Sequence, residues 1–189
     1  MGSGMKIIGI AGSLRRGAYV WRLLEASSWE LPAAVDFEIW DGLDRIPPVS
    51  DGELPQPVDE LCRAVSKADG MLITAPAHST LPVQLSHALD WLSSPRAGAV
   101  LLGKPVGVVT ACLRIHEAMW TQTQLRRSLG AAGAVVHGAD LAVSSARSRF
   151  DATGQLADKE FRGRLRKVLD EVCSPSLARA GGSALFHDH

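Results

Sequence analysis

The chain has 189 residues, with 20 Lys and Arg balancing 20 Asp and Glu to a net charge of +0, and 46% of its residues are hydrophobic. That length and apolar content suit one domain with a sizeable core. The charge balance argues against a chain built around a basic nucleic-acid face. No apolar run approaches the roughly 20 residues of a membrane span, so neither nucleic acid nor membrane is an expected partner.

Three widely spaced cysteines, Cys62, Cys112 and Cys173, fit neither a disulfide framework nor a Cys-x-x-Cys metal pair. The expected setting is a reducing cytoplasm, and no metal is expected. The start lacks the basic-then-apolar pattern of a secretion signal. Residues 1–4 read as a cloning remnant and 5–173 as a single domain. Residues 174–189, rich in Ala, Gly and Ser, read as a flexible tail.

Residues 6–11, Lys-Ile-Ile-Gly-Ile-Ala, form a continuous apolar run that predicts a buried strand. A break at 12–17 precedes a helix over 18–28. Residues 35–40 alternate apolar side chains with Asp36 and Glu38, the pattern of a strand with one less buried face. A Pro- and Asp-rich connection follows over 41–57. Val58, Leu61, Cys62 and Val65 then recur at helical spacing. Strands are expected at 70–75 and 105–112, with a short last one beginning at 134–136. Helices are expected at 83–92 and 119–129. Phe161, Leu165, Val168, Leu169 and Val172 mark a closing amphipathic helix.

Strand alternating with helix about five times predicts an α/β fold. Its expected form is a three-layer, doubly wound, five-stranded parallel sheet. In such sheets ligands bind beyond the carboxyl ends of the strands, where strand order reverses. That rule selects the loops at 12–17, 76–82 and 113–118. In the first, a helix N-terminus with Ser13, Leu14, Arg15 and Arg16 has the chemistry to receive a phosphate. Gly12 and Gly17 are expected to let the backbone come close. On the residues alone, a tight turn with two solvated arginines explains the same stretch. It is neither a Walker loop nor the Gly-x-Gly-x-x-Gly fingerprint.

Gly12-Ser13-Leu14-Arg15 after an Ile-rich strand resembles the opening of the NAD(P)H-dependent FMN reductase family. Further similarity lies in Ala68-Asp69-Gly70-Met71-Leu72-Ile73-Thr74-Ala75-Pro76, Ala88-Leu89-Asp90-Trp91, Lys104-Pro105-Val106 and Gln124-Leu125-Arg126. It covers about residues 6–136. The resemblance implies a flavodoxin-like fold, FMN and NAD(P)H as cofactors, and a small quinone-like or other acceptor as substrate. It also implies a homodimer with the site near the interface, for which the apolar 81–92 segment is a candidate contact. Ser13, Leu14, Arg15 and Arg16 would hold the phosphate, and Pro76, Ala77, His78, Ser79 and Thr80 would face the ring.

All three loops depart from the family pattern. Ala18 and Val20 stand where Ser and Asn usually donate to the phosphate. The second loop, Pro76-Ala77-His78-Ser79-Thr80-Leu81-Pro82, is one residue short and lacks the usual Glu, Tyr and Asn, which leaves its backbone N–H groups to address the ring. Ile115-His116-Glu117-Ala118 replaces a Gly-Gly pair, and Trp120 is read as core packing. An alternative therefore stands beside the flavin reading. A flavin-free cleft would perform acid–base chemistry through His78 and His116, with Glu117 tuning one of them, or would bind a ligand. A third option is a non-catalytic partner protein.

Overall fold

The computed structural model describes residues 4–78, 80–138, 140–144 and 150–174. The sheet contains β1 (Lys6–Ala11), β2 (Asp36–Ile39), β3 (Gly70–Pro76), β4 (Pro105–Cys112), β5 (Val135–His137) and β6 (Ala142–Ser144). Every pairing is parallel, in the order β2-β1-β3-β4-β5 with β6 also on β4. This is the doubly wound α/β arrangement, and its order reverses between β1 and β3. β1 and β3 are buried along nearly their whole length, as central parallel strands covered on both faces must be.

The helices are α1 (Tyr19–Ser27), α2 (Gln56–Lys67), α3 (Val83–Ser93), α4 (Ala118–Ala131) and α5 (Lys159–Cys173). One core gathers Leu23 and Leu24 of α1 with Phe161, Leu165 and Leu169 of α5. The other gathers Leu61 and Val65 of α2, Leu85 and Trp91 of α3, and Leu125 and Leu129 of α4. Trp91 is fully buried, and its indole N–H donates to the Pro47 carbonyl at 2.8 Å. The apolar ring thus packs while its one donor stays satisfied. α2 begins before Val58 because Pro57 sits in its first turn, where a missing N–H costs nothing.

The expected fifth strand occupies its place in two pieces. β5 pairs with Pro105–Gly107 of β4, and β6 pairs with Thr110–Cys112. Gly138 between them has φ +66, a left-handed conformation that glycine adopts without a Cβ clash. The turn at Gly138 conceals the continuation from a reading of apolar runs.

Candidate functional site

Where β1 ends, the Gly12 N–H donates to the Thr74 carbonyl of β3 at 2.7 Å. A Cβ on Gly12 would lie 3.0 Å from Leu85 Cδ2 and 3.1 Å from Thr74 O, so any side chain there would be tightly crowded. Gly17 differs: a Cβ would meet nothing within 4 Å, and the expected close approach falls on Gly12 alone. The Trp21 indole N–H donates to the Ser13 carbonyl at 2.6 Å, and the buried Thr74 hydroxyl donates to the Val20 carbonyl at 2.8 Å. These bonds fix the loop between β1 and α1. Ala18 occupies the N-cap of α1 and supplies no side-chain cap, so the first-turn N–H groups lack the partner that a Ser or Asp would provide.

A cleft of about 420 Å³ opens at the carboxyl ends of β1, β3 and β4. The first loop and α1 contribute Ser13, Arg15 and Tyr19, and the end of β3 contributes Pro76, Ala77 and His78. From beyond β4 come Cys112, Leu113 and Glu117. Arg15 makes no ion pair among the described residues. One end is thus polar and cationic beside a helix N-terminus, and the rest is lined mainly by small or apolar side chains.

The structure separates residues that the sequence reading had grouped. Leu14 and Arg16 line another hollow with Asp41, Leu43 and Arg45. Arg16 is paired with Asp41 and lies 5.7 Å from the centre of the Trp21 ring. Thr80 lines a hollow with Leu81, Ser86 and Gln124. Ser79 lies outside the described residues. His116 lines a cleft of about 560 Å³ with Arg114, Ser144 and Arg164, whereas His78 lines the Ser13–Arg15 cleft. The two histidines that would have shared acid–base chemistry are not brought into one pocket. His137, left open by the sequence, pairs with Glu171 at 3.2 Å.

The second loop's backbone also differs from expectation. The Ala77 N–H donates to the Ala111 carbonyl at 2.7 Å, and the His78 N–H donates to Thr121 Oγ1 at 3.2 Å. These two of the loop's N–H groups, expected to address a ring, are engaged within the protein. Glu117 accepts from the Arg114 N–H at 3.3 Å rather than tuning a histidine. Burial, and then the Glu117 charge, push the Cys112 thiol up from its ordinary pKa; it stays protonated near neutrality. Trp120, read as core, is 58% exposed beside Met119 at 70%. No cluster of three or more His, Cys, Asp or Glu suited to a metal occurs among the described residues.

Tyr19, Cys112 and Thr121 were not singled out from sequence. Cys112 did carry a signal, since it ends a strand whose carboxyl end the switch-point rule selects. For Thr121 the only signal was one hydroxyl on the buried side of a helix.

A parallel sheet in this order, with a cleft at its switch point, defines a flavodoxin-like doubly wound protein. The family described as NADPH-dependent FMN reductase matches residues 5–148, and the chain belongs to it. A 2-hydroxy-1,4-benzoquinone reductase of a Burkholderia species is 27% identical over 174 residues, covering 90% of this chain and 95% of that one. An NAD(P)H-dependent FMN reductase of Pseudomonas aeruginosa is also 27% identical, covering 91% and 95%. The flavoenzyme NAD(P)H:(acceptor) oxidoreductase FerB of Paracoccus denitrificans superposes with a TM-score of 0.78 at 20% identity, covering 89% of this chain and 97% of that one. The flavin reading therefore stands, and the flavin-free alternative has no support.

The cleft fits FMN at its phosphate end. Ser13, Arg15 and the uncapped start of α1 are an anion-receiving set, although Ala18 and Val20 supply no side-chain donors.

Proposed function

We propose that this FMN oxidoreductase takes reducing equivalents from NAD(P)H and passes them to a small quinone-like acceptor, working as a cytoplasmic homodimer. The observation that carries the reading is the cleft at the switch point, with Ser13 and Arg15 at its cationic end and Pro76, Ala77 and Leu113 along its apolar part. When bound, FMN supplies the two-electron chemistry, and the protein supplies binding, orientation and access. Ser13 and Arg15 hold the phosphate. Pro76, Ala77 and Leu113 shield the ring from water, and His78 stands exposed where an acceptor would enter. The quinone class is supported by the Burkholderia relative's name. Exposed Val83, Met119 and Trp120, on the first turns of α3 and α4, are an apolar surface suited to a second copy.

Three measurements test this reading. The purified protein titrated with FMN should bind it at micromolar concentration or below, the loaded protein should oxidise NADPH when benzoquinone is added, and sedimentation should give twice the chain mass. A protein that binds no FMN at high micromolar concentration overturns the reading.

A further inference from the structure

We infer that Thr121 is a positioning residue for the cofactor loop, clasping the backbone of His78 to α4 so that the two loops flanking the cleft are held as one unit. The inference rests on FMN occupying the cleft described above.

β3 ends at Pro76, and the Ala77 N–H adds one further rung by donating to the Ala111 carbonyl. At His78 the sheet offers no further partner, and the chain must turn away. There the Thr121 hydroxyl takes over. It accepts from the His78 N–H at 3.2 Å and donates to the His78 carbonyl at 3.1 Å. One hydroxyl can do both, having one proton and two lone pairs. The pair of bonds continues the ladder by one rung, with a side chain in place of a strand.

Thr121 is 0% exposed, and no other partner of its hydroxyl is found among the described residues. A buried hydroxyl without a partner is costly, so α4 holds His78 as firmly as His78 holds α4. The clasped peptide belongs to the cleft, since Ala77 and His78 both line it. α4 starts directly after Glu117, a cleft residue on the other side. A loop one residue short of the family pattern is thereby fixed before any ligand arrives. Ordering that a ligand need not supply appears as affinity.

The test compares FMN titrations of the full chain as wild type, Thr121→Val and Thr121→Ser. Valine keeps the shape and removes both bonds, and serine keeps the hydroxyl. The expected result is a Kd raised about tenfold for T121V, as for loss of one or two ordinary hydrogen bonds, and within about threefold of wild type for T121S. If T121V lowers the melting temperature but leaves the FMN Kd unchanged, Thr121 is only structural and the inference is overturned. Should T121V not fold, amide exchange of wild-type His78 decides. The clasp predicts exchange at least about a hundredfold slower than an open loop, and an unprotected His78 amide refutes it. Wild type failing to bind FMN would instead sink the proposed function. Wild type and T121V binding equally would sink only the role of Thr121.

Discussion

Two clefts lie along the carboxyl rim of the sheet, each with a histidine and arginine, and their surroundings differ. In the cleft of Ser13 and His78, Arg15 makes no ion pair among the described residues, and the backbone on either side is tied down by Thr74, Trp21 and Thr121. In the cleft of His116, Arg114 and Arg164 share the lining with Asp158 and Glu160; formal charge cancels in both clefts, Arg15 against Glu117 in the first. Residue type alone does not separate the two. The first cleft combines a braced backbone with the start of α1 at the point of strand reversal, and the proposed phosphate site rests on that combination.

The sharpest way to break the comparison is at the arginines. Replacing Arg15 with alanine should weaken FMN binding by about ten- to a hundredfold, the range for a hydrogen bond to a charged group. Arg16→Ala, next door in sequence but paired with Asp41, should change it by less than about threefold. A fluorescence titration showing Arg16 to be the larger loss would reverse the assignment.

A second change works from the far side. The Glu30 carboxylate is fully buried and accepts from Arg162 Nε at 2.6 Å and Arg166 Nε at 2.5 Å, tethering α5. Glu30→Gln should cost about 1–2 kcal/mol, an estimate kept low because Arg166 is half exposed. Since α5 lines the His116 cleft and not the Ser13 cleft, thermal melting should fall while FMN affinity holds. Loss of FMN affinity in step with the melting temperature would mean that the two clefts are not independent.

Smaller effects follow at the histidines and the thiol. His78→Ala should lower kcat/KM for benzoquinone by about fivefold, the scale of one exposed polar contact, and His116→Ala by less than twofold. Equal effects would erase the distinction between the clefts. Burial and Glu117 both favour the neutral form of the Cys112 thiol, so iodoacetamide should label it only at a pH above that of an ordinary thiol. Glu117→Gln removes the second cause and should move that onset slightly down. An upward shift would contradict the stated cause.

Much of this molecule was legible in its sequence. Apolar runs at β1, β3 and β4 and the periodicity of α5 located the layers, because burial on both faces leaves a pattern that needs no partner to be seen. The first piece of the divided fifth strand was expected and the second, β6, escaped, since three residues beyond Gly138 carry no period. Within the site, the strand ends pointed to the cleft. Sequence proximity could not separate Arg15 from Arg16, because successive residues of a tight loop point to opposite sides. Trp120 misled for a related reason: an aromatic at a helix start gives no sign of which way it faces. The clasp at Thr121 joins positions 43 residues apart, and only the tertiary fold brings them together.

The divided strand has a consequence for the chain in a crowded solution. A sheet margin with a row of free N–H and C=O groups invites another molecule to add a strand. Here one margin is interrupted at Gly138, and the other is the four-residue β2, which bears Asp36 and Glu38. Neither margin offers a long, flat, uncharged template. The core can therefore be built from strands rich in Ile and Val without those strands recruiting their like from neighbouring molecules.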